Sequence, residues 1–349
     1  MLTFLDHAPR AVVIGYGFAG RSFHAYLVSI TPGLELRGIM ARSPEAQSQI
    51  RERGDCRLYL DFDEVLADPE VDLVVLATPN EHHAPLAIRA LGAGKNVVTD
   101  KPMCLNLAQC EAMIEAAQNS NRLLATFQNR RFDGDYLTAR QLMSDGVLGK
   151  VRWIEMAWPN FGPPSRWRGE SPELGGGRLF DLGAHLLDQM LQLFASAVEG
   201  VYCRMDFGFE GRTVESECLV TLHFADGRSG VCDISSRSAI KKPRFTLHGD
   251  RATWEKFGLD PQERAMIGGD IDAAREDPQL FGMLSDGQSE TLIETLLGRW
   301  RSFYENIRDA LRGDAELLVT PDQTRRVMAV LDAARESART GQVVKLLVS

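Results

Sequence analysis

The sequence predicts an α/β protein of two domains, in which a doubly wound parallel sheet precedes an α/β domain with a large, open, mainly antiparallel sheet. Apolar runs alternate with helical stretches through the first third of the chain, which is typical of a parallel sheet covered by helices on both faces. Strands with period-two alternation follow in the second half. The length of 349 residues also suits two domains of ordinary size.

Composition and charge exclude several classes of protein. A hydrophobic fraction of 44% with 25% charged residues excludes disordered and fibrous chains. The formal net charge of −9 disfavours nucleic acids and anionic membranes as partners, because these attract basic proteins. No apolar run approaches the roughly 18 residues of a membrane span. We therefore expect a protein that acts on a small molecule.

The cysteines and the first residues bear on metal binding and location. The 6 cysteines are scattered, and the sequence has no C-x-x-C pair and no H-E-x-x-H motif. A metal site is therefore not expected. The start of the sequence has neither the basic region nor the long apolar region of a secretory signal. We expect a cytoplasmic protein with reduced thiols.

The first domain is predicted from short apolar runs that are separated by helical stretches. Residues 11–14 lead at once into glycines, which is typical of a buried strand that runs into a tight turn. Pro44 fits an early helix position, and Gly94 fits a helix end. The predicted strands are 11–14, 34–40, 71–77, 96–99 and 123–127, and the predicted helices are 20–29, 45–53, 83–93 and 107–120.

The second domain is predicted from strands whose residues alternate between two faces. In 217–224, Cys218, Val220, Leu222 and Phe224 point one way and the residues between them the other. We expect residues 1–128 to form the first domain and 129–349 the second, with C-terminal helices able to pack back on the first. The predicted strands are 151–158, 217–224, 228–236, 244–248 and 252–257, the predicted helices are 183–194, 304–311 and 322–337, and 258–289 is predicted to be a polar excursion.

A glycine-rich turn follows the first predicted strand. Gly15, Gly17 and Gly20 form a G-x-G-x-x-G motif, with Phe18 inside it, at the start of a predicted helix. The first glycine allows a tight turn, the second lets the backbone approach a pyrophosphate, and the third lets the helix pack on the strand. The N-terminus of the helix then attracts phosphate. The motif predicts a Rossmann dinucleotide-binding domain rather than an incidental glycine turn.

The end of the second predicted strand indicates which dinucleotide is preferred. NAD sites usually carry an acidic residue there, which accepts a hydrogen bond from the ribose 2′-hydroxyl. This chain has Ala41 instead, followed by Arg42 and Ser43, which can bind a 2′-phosphate. We therefore expect NADP(H) to be preferred, with NAD(H) as the alternative cofactor. An arginine in a solvated loop is the competing interpretation.

Three further segments resemble those of the glucose–fructose oxidoreductase / inositol dehydrogenase (Gfo/Idh/MocA) family. They are T-P-N-E-H-H at 78–83, G-K-N-V-V-T-D-K-P at 94–102, and the glycines 175–177 leading to D-L-G-A-H at 181–185. The resemblance covers nearly the whole chain. Within the family it is greatest to the NADP-linked scyllo-inositol dehydrogenases, in stretches that include 23–25, 129–133, 166–168 and 179–189.

The resemblance implies roles for particular residues. The family's lysine before proline corresponds to Lys101, and its Asp-x-x-x-His pair corresponds to Asp181 and His185, which makes these three the expected catalytic residues. Asp100 stands where the family usually has Glu, so its carboxylate is one methylene shorter and its contact with the cofactor ribose is left open. Cofactor contacts are expected from Thr78, Pro79, Asn80, His83, Asp100 and Lys101, with His83 as scaffolding on the cofactor side.

The chemistry of these residue types agrees with the implied roles. A lysine at the carboxyl edge of an open α/β sheet can donate hydrogen bonds to a substrate oxygen and stabilise negative charge on it. If helical, Asp181 and His185 share one face, and a histidine can take a hydroxyl proton or return it. Asp181 would orient the substrate or Lys101, and a cis bond before Pro102 would aim the lysine. The competing interpretations are a surface lysine and a structural Asp/His pair.

The substrate contacts are predicted from polar and flat side chains. A polyol or sugar needs several hydrogen-bonding groups and an apolar platform. The resemblance favours Asn129 and Trp167 for these contacts, and packing between the domains is the competing interpretation. The other candidates are Gln128, Arg131, Trp158 and Arg166.

Together these features predict an NADP(H)-dependent dehydrogenase or reductase that acts on a CH–OH group of a cyclic polyol or sugar. Two alternatives stay open, namely a reductase of another sugar-derived or cyclic carbonyl and an NADP-binding sensor without catalysis. An apolar open face on the second sheet would pair copies of the chain, so a homodimer or homotetramer is expected.

Overall fold

The computed structural model describes residues 4–163 and 171–346. The chain forms two compact units. The first comprises Met1–Asn129 and Trp300–Arg325, and the second comprises Arg130–Arg299 and Arg326–Ser349.

The first unit contains a six-stranded parallel sheet. Its strands are β1 (Arg10–Ile14), β2 (Glu35–Met40), β3 (Arg57–Tyr59), β4 (Leu73–Leu76), β5 (Asn96–Thr99) and β6 (Leu124–Thr126). They lie in the order β3-β2-β1-β4-β5-β6, which is the order of a doubly wound nucleotide-binding sheet and confirms the predicted fold. Every residue of β4 is buried, because helices cover both faces of such a sheet.

The helices follow largely from local sequence signals. Ser43, Asp61 and Asn106 each accept a hydrogen bond from the backbone N–H three residues later and so cap a helix. No helix within residues 4–163 and 171–346 has both the length and the apolar character needed to cross a membrane. In chain order the helices are α1 (a π-helical segment, Gly20–Ala25, followed by Tyr26–Ile30), α2 (Pro44–Arg53), α3 (Phe62–Ala67), α4 (His83–Gly92), α5 (Leu107–Ser120), α6 (Gly134–Ser144), α7 (Ala184–Leu193), α8 (Gln262–Ile267), α9 (Arg301–Arg312) and α10 (Pro321–Thr340).

The second unit contains a nine-stranded sheet. Its strands are β7 (Trp153–Pro159), β8 (Val198–Asp206), β9 (Glu217–Phe224), β10 (Ser229–Ser235), β11 (Phe245–His248), β12 (Thr253–Lys256), β13 (Gly282–Ser285), β14 (Glu290–Ile293) and β15 (Val344–Lys345). They lie in the order β14-β13-β12-β11-β7-β10-β9-β8-β15. Only the β7–β10 pair is parallel among these described strands, so the prediction of a large, mainly antiparallel sheet is confirmed.

One face of the second sheet is buried beneath α7. The buried residues of β9 are Cys218, Val220, Leu222 and Phe224, as the alternation predicts. On β10, a Cβ at Gly230 would lie 2.3 Å from the Met190 sulfur of α7, so the glycine allows the helix to approach the strand closely.

The structure also corrects the sequence prediction. Residues 258–289 are not a plain excursion, because they contain α8 and β13, and β14 follows them. All four residues of β14 are exposed or half-buried, so they show no apolar alternation that a sequence could reveal. The elements β3, α3, α6, β8 and β15 were likewise not predicted.

Candidate active site

The glycine turn after β1 is shaped by close backbone contacts. Gly15 has a φ of +97°, and a Cβ there would lie 2.7 Å from the Ala77 carbonyl oxygen. At Gly20, a Cβ would lie 2.0 Å from the Gly15 carbonyl oxygen, so only glycine allows α1 to begin this close to β1. A Cβ at Gly17 would meet no heavy atom within 4 Å. The three glycines thus make the turn, the helix contact and an open approach for a ligand.

The ends of the parallel strands bring the predicted nucleotide-binding residues to one edge of the first sheet. Gly15 follows β1, Arg42 follows β2, Thr78 follows β4 and Lys101 follows β5. The strand order reverses between β1 and β4. Ligands of open α/β sheets bind outside the carboxyl ends of the strands at such a point.

Two buried polar atoms at this edge fit the presence of a bound dinucleotide. Thr78 Oγ1 and Gln128 Oε1 are buried and have no hydrogen-bond partner in the described part of the chain. Gln128 lies just after β6, at the carboxyl end of another strand of the same sheet. Because buried polar atoms nearly always have a partner, these two atoms indicate hydrogen bonds that a ligand or an ordered water completes.

The loop after β2 carries the predicted determinants of cofactor choice. Arg42 and Ser43 are exposed, whereas Ala41 is buried. Ser43 Oγ accepts a hydrogen bond from the Ala46 N–H at 3.2 Å, which leaves the hydroxyl proton free to be donated. Gln47 Nε2 donates to the Ala41 carbonyl at 3.1 Å and holds the loop. An exposed guanidinium, a hydroxyl and a helix N-terminus therefore lie together where an acidic residue would repel phosphate.

His83 joins two of the loops at this edge. Its Nδ1 lies 2.9 Å from the Pro102 carbonyl oxygen, and its Nε2 lies 3.0 Å from the Thr78 carbonyl oxygen. Burial lowers the pKa of the ring, although Asp100 and the two carbonyls act in the opposite direction. The side chain is completely buried, and its two contacts hold the loops together. Asn80, at the start of the same loop, is also buried.

Asp100 is directed towards groups within the protein. Its Oδ1 accepts a hydrogen bond from the Lys101 backbone N–H at 2.7 Å, and its Oδ2 lies 3.7 Å from His24 Nε2. Burial alone would raise the pKa of this carboxyl, but His24, Lys101 and His83 outweigh burial and lower the pKa to about 2. The carboxylate is therefore ionised at neutral pH. The Lys101–Pro102 peptide bond that follows is cis.

The predicted Asp181 and His185 lie on one helical segment of the second unit. Asp181 is in a π-helical segment, Leu179–Gly183, and His185 is in the first turn of α7, which continues it. π-Helical turns are rare and often occur at functional sites. Asp181 Oδ2 lies 3.9 Å from Arg178 Nη1, and Arg178 Nε donates to Ser236 Oγ at 2.6 Å.

The predicted Trp158 lies against His185. The two rings are stacked, with centroids 6.0 Å apart and planes 27° apart. The guanidinium carbons of Arg130 and Arg244 lie 4.8 and 4.9 Å from the Trp158 ring centroid. Trp158 is buried, and its contacts hold the His185 ring in place.

A buried glutamate, which the sequence did not indicate, fixes the start of the helix that carries Asp181. Glu215 Oε1 accepts a hydrogen bond from the Leu179 N–H at 2.8 Å. A Cβ at Gly177, where φ is +103°, would lie 2.3 Å from the Glu215 carboxylate oxygens. The glycine run 175–177 is buried, and at Gly177 the lack of a side chain allows this close packing against Glu215. Burial raises the pKa of Glu215.

The remaining substrate candidates fall into three groups. Arg131 forms a buried, two-pronged ion pair with Asp188, with N–O distances of 2.7 and 2.6 Å, so its guanidinium serves the interior. Gln128 and Asn129 are buried at the end of the first unit. Arg166 and Trp167 lie outside the described residues.

Across 4–163 and 171–346, no group of three or more His, Cys, Asp or Glu side chains could hold a metal ion.

Two further side chains near Asp100 were not predicted. His24 lies in a stretch that contributes to the family resemblance, and this was the one signal for it in the sequence. Tyr304, whose hydroxyl oxygen lies 2.6 Å from His24 Nδ1, is 280 residues away in the chain and gives no local signal.

Comparison with known proteins gives the family of this chain. Residues 9–127 match the model of an oxidoreductase family with an NAD-binding Rossmann fold, and residues 136–255 match the model of the GFO/IDH/MocA C-terminal domain.

Three relatives illustrate the similarity. The uncharacterised oxidoreductase YdgJ of Escherichia coli is 34% identical over 95% of this chain and 96% of its own length. The scyllo-inositol 2-dehydrogenase (NADP(+)) IolW of Bacillus subtilis is 29% identical over 96% of this chain and 95% of its own length. The crystal structure of a Klebsiella pneumoniae protein superimposes with a TM-score of 0.89 at 35% identity, over 99% of this chain and 96% of that chain. The chain therefore belongs to the Gfo/Idh/MocA family of oxidoreductases, as its motifs predict.

Proposed function

We propose that this chain is an NADP(H)-dependent oxidoreductase that interconverts a hydroxyl group and a ketone on a cyclic polyol or sugar. The observation that supports this most is the position of Lys101, which follows β5 at the same sheet edge as the glycine turn and directly follows the ionised Asp100. A lysine there can donate a hydrogen bond to the oxygen of a hydroxyl or carbonyl group. The similarity to IolW supports the cofactor and the substrate class.

Residues at the carboxyl edge of the first sheet would hold the dinucleotide. The glycine turn and the N-terminus of α1 suit the pyrophosphate, and Arg42 with Ser43 suits a 2′-phosphate. Thr78, Pro79 and Asn80 form the loop beside the turn. When bound, the nicotinamide supplies the acceptor or the donor of the hydride.

The protein side chains then handle the proton and the developing charge. In the oxidative direction, the substrate hydroxyl gives its proton to a ring nitrogen of His185. Lys101 donates a hydrogen bond to the same oxygen and stabilises negative charge on it while the carbon–hydrogen bond breaks. In reduction the proton returns from His185 to the oxygen. Asp181 orients the substrate hydroxyl.

Substitution of Arg42 by alanine is expected to raise the KM for NADPH by about tenfold and to leave the KM for NADH nearly unchanged. The reason is that only NADPH carries the 2′-phosphate that the guanidinium would bind. Steady-state kinetics with both cofactors checks this. Arg51→Ala is the matched control, since it removes an equal charge from the exposed far end of α2. Equal effects of Arg42→Ala on both cofactors would show that Arg42 does not select NADPH.

The substrate class is tested by a screen of inositols, inososes and aldoses with NADP(H) and NAD(H). We expect turnover with NADP(H) and at least one cyclic polyol or its ketone. Turnover confined to other carbonyl compounds would favour a different reductase. Binding of NADPH with no turnover of any compound would favour the sensor.

The exposed face of the second sheet is proposed to join copies of the chain. The strand register places Tyr202, Met283 and Leu292 in one row across this face, and all three are exposed. The same row also carries Glu155 and Glu255, so the face is mixed, and its exposed apolar side chains are the part that is typical of an interface. Light scattering is expected to give the mass of a dimer or tetramer, and a monomer at micromolar concentration would contradict the proposal.

A further inference from the structure

The side chains of Tyr304, His24 and Asp100 lie in a connected row, and Asp100 is the residue before Lys101. Tyr304 Oη lies 2.6 Å from His24 Nδ1, and His24 Nε2 faces Asp100 Oδ2 at 3.7 Å. The other carboxylate oxygen of Asp100 accepts the Lys101 backbone N–H. All four residues belong to the first unit.

The surroundings of His24 are unusual for a residue that only fills space. Its side chain is completely inaccessible to solvent, and Nε2 has no hydrogen-bond acceptor in the described part of the chain. Packing alone would place an apolar residue there, because a buried polar atom without a partner destabilises the fold. His24 also lies in the π-helical segment of α1, and such segments often occur where function constrains the backbone.

The geometry also determines which groups of Tyr304 and His24 donate hydrogen bonds and which accept them. A neutral imidazole donates from one nitrogen and accepts at the other. The phenol Oη–H of Tyr304 can donate to Nδ1, which leaves the proton of the ring on Nε2, turned towards the Asp100 carboxylate. Without the phenol, Nδ1 would be free to carry the proton, and a lone pair on Nε2 would then face a negative charge.

We propose that Tyr304 and His24 are positioning residues that orient the Asp100 carboxylate and, through it, the backbone of Lys101. This inference rests on the proposed role of Lys101 in the reaction. Neither residue touches the substrate or the cofactor in this proposal. The Tyr304 hydroxyl keeps the ring proton of His24 on Nε2. This N–H faces Asp100 Oδ2, whereas Asp100 Oδ1 accepts the Lys101 backbone N–H.

The first test removes one hydroxyl group. Tyr304→Phe is expected to lower kcat by about tenfold with little change in the dissociation constant of NADPH. The matched control is Tyr59→Phe, because the Tyr59 hydroxyl is also buried in the first unit but donates to Asp68 at 2.6 Å, and Tyr59 does not contact Asp100. This control is expected to keep the wild-type kcat. Loss of kcat in both variants, or in neither, would overturn the proposal.

The second test asks whether His24 acts through its N–H group or only by filling space. His24→Gln keeps an N–H that can reach Asp100, whereas His24→Leu has no such group. We expect the glutamine variant to retain several times the kcat of the leucine variant, and we expect Tyr304→Phe to have little further effect in the leucine background. Equal activity of the two His24 variants, with full additivity of Tyr304→Phe, would mean that the residues only pack.

The third test measures the pKa of Asp100 directly. The groups that face Asp100 are His24, Lys101, His83 and Tyr304, and the first three lower the pKa of its carboxyl. His24→Leu removes a contribution that lowers this pKa, so Asp100 binds a proton at higher pH. The pH dependence of the Asp100 carboxyl carbon signal in NMR is therefore expected to show a higher pKa in His24→Leu than in the wild type. An unchanged pKa would contradict the proposal.

A readout without turnover distinguishes failure of this inference from failure of the proposed function. Nitrogen NMR of the histidine rings, with His24 assigned through His24→Gln, is expected to show a proton on Nε2 and a change in the His24 signals in Tyr304→Phe. A His24 ring protonated only on Nδ1 would overturn the proposed arrangement of Tyr304, His24 and Asp100, whether or not the protein oxidises polyols. If NMR shows this arrangement in a protein without any turnover, the proposed function is refuted instead.

Discussion

Substitution of His185 by alanine is expected to lower kcat by about 10²-fold or more, with little change in NADPH affinity. This side chain is proposed to take the hydroxyl proton of the substrate, and alanine has no group that can do so. The imidazole is held against Trp158 and is only 5% exposed, so water replaces it poorly. Steady-state kinetics with the best substrate from the screen, together with NADPH binding by fluorescence, measures both quantities.

The control for this variant is His223→Ala. His223 lies on the exposed side of β9, where its Nδ1 is 3.2 Å from Ser229 Oγ, and it is expected to contribute nothing to turnover. A His185→Ala enzyme that turns over as fast as the wild type would remove this residue from the mechanism. His185→Asn provides a further variant of similar size if the alanine variant proves unstable.

Substitution of Lys101 by alanine is the second change with a large expected effect. We expect kcat to fall by about 10²-fold or more, because the hydrogen-bond donor to the reacting oxygen is lost. Asp100 accepts a hydrogen bond from the backbone of Lys101, which the substitution retains, so the loop and NADPH binding are expected to persist. Single-turnover kinetics with saturating NADPH measures the chemical step directly.

The control here is Lys150→Ala, which removes an exposed lysine of the second unit. It is expected to leave kcat and NADPH affinity unchanged. If Lys101→Ala raised the KM of the substrate and left kcat intact, the lysine would bind the substrate without stabilising the transition state.

Much of the first unit could be predicted from the sequence, because strands such as β1 and β4 are short runs of mainly apolar residues and a glycine motif follows β1. The strand 96–99 and the helix 107–120 were predicted with the ends that the structure has. The strand β3 was missed because it has only three residues, two of which are not buried, so no apolar run marks it. Short edge strands of this kind depend on their neighbours in the sheet rather than on their own composition.

The sequence predicts the candidate site residues themselves but not the residues that hold them in place. The glycines, Lys101, Asp181 and His185 lie in short motifs, and motifs can be read without knowing the fold. The partners of these residues come from distant positions, such as Glu215 for the helix start at Leu179. Only the folded chain reveals such pairs.

The replacement of the family glutamate by Asp100 illustrates this difference. From the sequence, its shorter side chain left the contact with the cofactor ribose open. In the structure, Asp100 lies between the backbone of Lys101 and the ring of His24, two contacts that orient its carboxylate within the protein.

The central claim, that this chain transfers a hydride between NADP(H) and a carbon of a polyol or sugar, is tested most directly by isotope transfer. The wild-type protein is incubated with NADPH dideuterated at C4 of the nicotinamide and the ketone that the screen selects, and the product is examined by mass spectrometry and NMR. We expect one deuterium on the new carbinol carbon, and far slower transfer in Lys101→Ala and His185→Ala. A protein that binds NADPH but transfers deuterium to none of the inososes and sugars offered would contradict the claim.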